Sequence, residues 1–347
     1  MNSKTQNTQY KYFGMWPVAP TPFHDNGEVD YEGMERVLDC MVDQEVQGVC
    51  ILANYSEQFL LSDDEREKLT KLCMKKIDGR VKTIVTVSHF ATDIVKPRAE
   101  LAKSLGADII MMMPPYHGAL LKGNEVQIYE QFDEISKVGI PIMIQDAPLS
   151  GIELTVPLLT KMINEIEYLT CFKIESAQAA SKIRALIKNC KSKLDAPFDG
   201  EESITLYADL EAGISGSMSS GLLPEKIAPI IDHFLNNEKE KAEEIYNHIL
   251  PLINFENRQC GFRGTKTVMK EGGVIKSDFC RQHSQQSSSH QFFSRSLYRS
   301  FLHQGVSFWR RFDEKSRNGP VGLQTRSHPH RVVVGLETDS TSPGWIE

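Results

Sequence analysis

No apolar run in this 347-residue chain approaches the roughly 18 residues that a membrane-spanning helix needs, so no transmembrane helix is expected. The first eleven residues are polar and lack the apolar stretch of a secretion signal. Basic charge is not in excess either. The formal net charge is −7, which argues against nucleic acid or an anionic membrane surface as the main partner. Cysteine is odd in number, at seven, and no two cysteines stand at zinc-finger spacing. Free thiols in a reducing compartment, the cytoplasm, are the expectation. A glycine-rich fingerprint after the first strand-like run is also missing, which weighs against a dinucleotide-binding sheet.

What the chain does contain is alternation. Strand-like runs over 14–20, 48–52, 81–87, 107–113, 140–144, 169–175, 194–198 and 213–219 alternate with amphipathic stretches. Helices are expected over 30–44, from 62 onward, and over 93–105, 124–137, 156–163, 177–188 and 203–211, with two more over 224–235 and 239–253. Ser62 and Glu65 form a capping-box pattern. Eight such units predict a (β/α)8 (TIM) barrel with additional C-terminal helices. The expected organisation is a disordered lead over 1–11, the barrel and its C-terminal helices over 12–280, and an atypical tail over 281–347. In that tail lysine nearly vanishes, with Lys315 alone against eight arginines. Ser, Gln and His abound there and periodicity is lost, so the tail is read as disordered. An abrupt shift of this kind is what a segment of separate coding origin leaves.

Lys173 lies near the end of the run Leu169-Thr170-Cys171-Phe172-Lys173-Ile174-Glu175. A buried ammonium without a partner is costly, so its pKa is expected to fall and free a neutral amine able to attack a ketone. The alternative is an edge-strand lysine pointing into water. In a barrel, active sites sit at the carboxyl ends of the strands, where the polar and proline-rich loops of this chain also fall.

Several segments occur in order: 50–59 (Cys-Ile-Leu-Ala-Asn-Tyr-Ser-Glu-Gln-Phe), Met113-Pro114-Pro115-Tyr116-His117-Gly118, 141–148, Phe172-Lys173-Ile174-Glu175, Asp199-Gly200-Glu201-Glu202 and 252–259. Together they resemble the dihydrodipicolinate synthase / N-acetylneuraminate lyase superfamily of Schiff-base barrels, over about residues 12–280, and most of all its keto-deoxy sugar-acid dehydratases. The resemblance implies that Lys173 forms the imine and that the turn Asn54, Tyr55, Ser56 holds the substrate carboxylate, with Glu57 bracing it. Tyr116 and Met218 are implied at the substrate.

Two departures refine this. Where the synthases and lyases carry a proton-shuttling tyrosine, this chain has Gln145, which is neither acid nor base near pH 7. Where the synthases carry an arginine for a second substrate carboxylate, it has Ser150. Both fit a dehydratase, with Gln145 as the second catalytic residue, orienting a hydroxyl or a water. The implied reaction is loss of water from a 2-keto-3-deoxy sugar acid, 2-keto-3-deoxy-L-arabonate giving α-ketoglutaric semialdehyde. No metal or organic cofactor is implied, because the imine replaces a Lewis acid. His89 and His117 lie at strand ends but complete no metal-ligand set. A small keto acid is the implied partner, and a homo-oligomer, a tetramer, the implied assembly. Another aldolase or synthase of the same superfamily, or a non-catalytic barrel that binds a sugar acid, remain the alternatives.

Overall fold

The computed structural model describes residues 8–117 and 121–281. Most of the expected lead (1–7) and nearly all of the expected tail (282–347) lie outside the described residues. Eight parallel strands make the frame: β1 Gly14–Met15, β2 Gly48–Ile51, β3 Lys82–Thr86, β4 Ile109–Met112, β5 Ile142–Asp146, β6 Leu169–Ile174, β7 Ala196–Asp199 and β8 Gly216–Ser217. Their order is β1-β8-β7-β6-β5-β4-β3-β2. Beyond β1, Val18 bridges Cys50 on one side and Ser220 on the other, which closes the ring. This is the expected (β/α)8 barrel.

The helices alternate with the strands: α1 Tyr31–Asp43, α2 Asp63–Ile77, α3 Thr92–Ser104, α4 Glu125–Ser136, α5 Val156–Glu165, α6 Ala179–Cys190, α7 Leu206–Ala212 and α8 Pro224–Leu235. They cover the outer faces, because successive strand side chains point to opposite sides. Thus Ile142, Ile144, Phe172 and Ile174 pack outward under the helices. Met143, Cys171, Phe198 and Met218 fill the barrel interior with Cys50, Ile84 and Met111. The capping box forms as expected: Ser62 Oγ accepts from the Glu65 amide, and Glu65 Oε2 from the Ser62 amide.

Some boundaries differ from expectation. The run over 14–20 pairs as a strand for only two residues, since Pro17 and Pro20 have no N–H for a ladder. Instead of 213–219, only Gly216–Ser217 is strand, because Gly213, at φ +106°, is occupied in capping α7. Helix α7 starts three residues late, after Glu202 and Ser203, which have left-handed φ values of 50° and 69°.

Beyond the barrel, α9 (Lys239–Phe255) runs into a π-helical turn (Glu256–Cys260) and α10 (Phe262–Glu271). Helix α10 escapes sequence reading because Gly264, Thr265 and Thr267 are weak helix formers. Burial of Thr265, Lys266, Val268 and Met269 holds it instead. The segment after it returns to the N-terminal half. Arg281, expected as the first tail residue, belongs to the body: its guanidinium donates to Gly27 O, Leu60 O and both carboxylate oxygens of Glu65. Among the described residues no helix is long and apolar enough to cross a membrane.

Candidate active site at the carboxyl ends of the strands

On β6, Cys171 faces the barrel interior, and so, two residues on, does Lys173. Its ladder neighbours are Gln145 on β5 and Phe198 on β7. A further step of two along the same face brings Glu175. Lys173 is only 5% exposed, and its ammonium donates to Glu175 Oε1. Gln145 Nε2 donates to the same oxygen at 2.6 Å. The other end of that amide, Gln145 Oε1, is buried without a protein partner among the described residues.

Burial acts most strongly on Lys173 and pulls its pKa down, as the sequence suggested. The Glu175 carboxylate, with Glu202 behind it, pushes the other way and prevails, so the pKa is raised. The expectation of a depressed, uncharged amine is therefore corrected. At rest Lys173 is an ammonium paired with a carboxylate, and its proton has an acceptor in direct contact.

The segment Asn54–Ser56 forms a single 3-10 turn after β2. The first amides of such a turn have no partner within it. Ser56 is fully buried: its hydroxyl donates to Ala19 O at 2.6 Å and accepts from the Ala53 amide, so it shapes the turn. Asn54 Oδ1 takes a hydrogen bond from Gln58 Nε2. Tyr55 donates to Asn257 Oδ1 at 3.0 Å, and its ring meets Phe262 edge-on. Glu57, at φ 57°, pairs with Lys266 Nζ at 2.5 Å, both side chains without solvent exposure. The bracing role expected for Glu57 thus has a physical form, a buried ion pair that ties the turn to α10.

Met218 is buried in the interior cluster against which Tyr55 packs. Tyr116 stands apart. It lies in a short hairpin (Tyr116–His117 with Leu121–Lys122), touches Phe59, and lines a cavity of about 460 Å³ with Gln58, His89 and His117. Burial pushes its phenol up to about 12.

Sequence reading passed over Glu175, Glu202, Asn257 and Arg258. Glu175 had a signal, its spacing of two from Lys173 on a strand. Arg258 had none: it arrives on the π turn and donates to Glu201 Oε2 at 2.5 Å and Glu202 Oε2 at 2.9 Å.

The model of the dihydrodipicolinate synthetase family matches residues 11–291. The chain is 46% identical over 275 residues to an L-2-keto-3-deoxyarabonate dehydratase of Azospirillum brasilense, covering 79% of this chain and 89% of that protein. It is 26% identical over 263 residues to a 4-hydroxy-tetrahydrodipicolinate synthase of a Hydrogenobaculum strain, covering 75% and 88%. A solved putative dihydrodipicolinate synthetase of Pseudomonas aeruginosa superposes with a TM-score of 0.76 at 24% identity, over 86% of this chain and all of that one.

Proposed function

The chain belongs to the dihydrodipicolinate synthetase family, and from that premise we propose that it is a hydro-lyase acting on 2-keto-3-deoxy-L-arabonate through an imine at Lys173. The substrate follows the dehydratase of Azospirillum brasilense. The observation that carries the chemistry is the single oxygen, Glu175 Oε1, shared by Lys173 and Gln145.

Glu175 takes a proton from the Lys173 ammonium, and the freed amine adds to the C2 ketone. Glu175 returns that proton to the departing oxygen, which leaves as water. The resulting iminium draws electrons from C3 and acidifies its protons, and Glu175, again a carboxylate, takes one. Gln145 holds Glu175 with its N–H and offers Oε1 to a substrate hydroxyl. The Asn54 and Tyr55 amides, the first of the turn, receive the carboxylate of the keto acid, and Tyr55 walls the site. Loss of the C4 hydroxyl and hydrolysis of the imine release the semialdehyde.

All seven cysteines are free thiols, which supports a reducing compartment, the cytoplasm. Exposed Phe59, Leu121 and Leu149 support self-association into a homo-oligomer.

Borohydride treatment in the presence of the keto-deoxy pentonate tests the reading. A reduced adduct mapped to Lys173, absent in Lys173→Ala, together with semialdehyde release, is the expected result. Ligand binding without adduct would make the chain a sugar-acid-binding barrel, and condensation of pyruvate with aldehydes without dehydration would make it an aldolase.

A further inference from the structure

The elimination needs a proton at two places, and the group at Lys173 serves one of them. Glu175 takes a proton from C3. The C4 hydroxyl leaves as water only if a second group protonates it, and an aldehyde at C5 requires that a C5 proton be removed afterwards. We propose that Glu202 is this second catalytic residue, acting at the C4–C5 end of the substrate, with Arg258 as its positioning residue. The proposal rests on the dehydratase reading above.

Position is the first argument. Gln145 flanks Lys173 from β5, and the loop after β7 flanks it from the other side. Gly200 in that loop is so close that an added Cβ would stand 2.8 Å from Lys173 Cγ. Glu202 follows two residues later, with its side chain 17% exposed. After Glu175 it is the carboxylate that Lys173 senses most, and it is the charge that Tyr55 senses most.

Backbone strain is the second. Glu202 and Ser203 are consecutive non-glycine residues with φ of 50° and 69°. Such a backbone is unfavourable for non-glycine residues and persists only where surroundings impose it. Here the Asp199 carboxylate imposes it, accepting from the Glu201 amide at 2.9 Å, the Ser203 amide at 3.0 Å and Ser217 Oγ at 2.6 Å. Ser219 Oγ adds a hydrogen bond to Glu202 O. A fully buried acid and two serines hold this loop against its own preference.

The third is what meets Glu202. A π turn, rare and recurrent at functional sites, breaks α9 from α10 and delivers Arg258 to Glu202 and Asn257 to Tyr55. Charged and titratable groups around Glu202 are Lys173 and Glu175 from β6 and just beyond it, its neighbour Glu201, Glu256 and Arg258 from the π turn, and Tyr55. Burial chiefly lifts its carboxyl to about 7, with Lys173 and Arg258 pulling down and Glu175 and Glu201 adding to the rise. A group so poised gives and takes protons with similar ease near neutral pH.

The steps balance. With one C3 proton on Glu175, the enamine expels the C4 hydroxyl, which leaves as water with the proton of Glu202. The C3–C4 double bond is now conjugated to the iminium. Glu202, as carboxylate, removes a C5 proton and gives a dienamine bearing the C5 hydroxyl. Glu175 returns its proton to C3, leaving an iminium and a C4–C5 enol. The enol becomes the aldehyde by exchanging its hydroxyl proton with solvent and gaining one at C4. Water then cleaves the imine, and both carboxyl groups are back in their starting states.

The test uses the full chain and three readouts: dehydration of the keto-deoxy pentonate, borohydride trapping with pyruvate, and deuterium exchange at the pyruvate methyl. Trapping requires Lys173, and exchange requires Lys173 and Glu175, but neither requires Glu202. In Glu202→Gln, dehydration is expected to fall about 10²–10⁴-fold, while trapping and exchange persist, with their pH midpoint moved to lower pH because Lys173 loses the Glu202 charge nearby. Arg258→Gln is expected to move the alkaline limb of kcat/KM to higher pH, since the cation no longer favours ionised Glu202, and Arg258→Lys to restore it in part. Dehydration by Glu202→Gln within about threefold of the parent overturns the proposal. So does parallel loss of all three activities, which would mark a structural role. A parent chain that forms no adduct with any keto acid instead overturns the dehydratase reading.

Discussion

Lys173 and Gln145 are ladder partners on adjacent strands, and one carboxylate oxygen, Glu175 Oε1, accepts a hydrogen bond from each. Three side chains, two on adjacent strands and one just past the end of β6, thereby share one proton-handling point. Its behaviour follows from which of them is removed.

Glu175→Gln takes away both the proton acceptor and the charge that holds Lys173 protonated. Turnover is expected to drop about 10²–10⁴-fold. Burial then acts on Lys173 with much less opposition, so its pKa falls. The pH midpoint for trapping pyruvate with borohydride should move to lower pH than in the parent chain. A midpoint that stays put would mean Glu175 does not govern the amine.

The ion pair between Glu57 and Lys266 is fully buried and joins residues 209 positions apart. Lys266→Met strips Glu57 of that ammonium and should cost about 3–5 kcal/mol, whereas the double variant Glu57→Gln/Lys266→Met should recover much of the loss. Urea unfolding of the three chains measures this. Equal stability of the single and double variants would contradict it.

Glu256 is buried, and burial raises its carboxyl from 4.5 to about 7, against hydrogen bonds from Ser220 and Thr265. Between those values the folded chain keeps a proton that the unfolded chain has released, so stability falls as pH rises through that window. Glu256→Gln removes the penalty: about 1–3 kcal/mol at pH 8, or a Tm several degrees higher, and no gain at pH 4. Calorimetry at the two pH values decides it.

Glu65 shows the opposite sign. Hydrogen bonds from Arg281 chiefly hold its carboxyl down at about 2, although partial burial opposes them. The stability this contributes is present above the ordinary value of 4.5 and disappears as pH falls toward 2. Because both side chains are about one-fifth exposed, Arg281→Gln should cost only about 1 kcal/mol at pH 6. Thermal melts of the two proteins should converge near pH 2. A gap that persists in acid would place the role of Arg281 in its bonds to Gly27 O and Leu60 O instead.

Local pattern determined much of this protein. Apolar runs separated by amphipathic stretches specify the barrel, and the Ser62–Glu65 capping box forms where the residues stand. The spacing of two between Lys173 and Glu175 already places both on one face of a strand. These features depend on neighbours a few residues away. Tertiary structure decided the rest. It aligned Gln145 with Lys173, closed the ring at Val18, folded α10 despite weak helix formers, and carried Arg258 to Glu202 across 56 residues. It also reversed the expected state of Lys173. Burial was foreseeable from an apolar strand, but the outcome depended on carboxylates at Glu175 and Glu202. A charge in a low-dielectric interior is governed by whichever opposite charge the fold brings beside it.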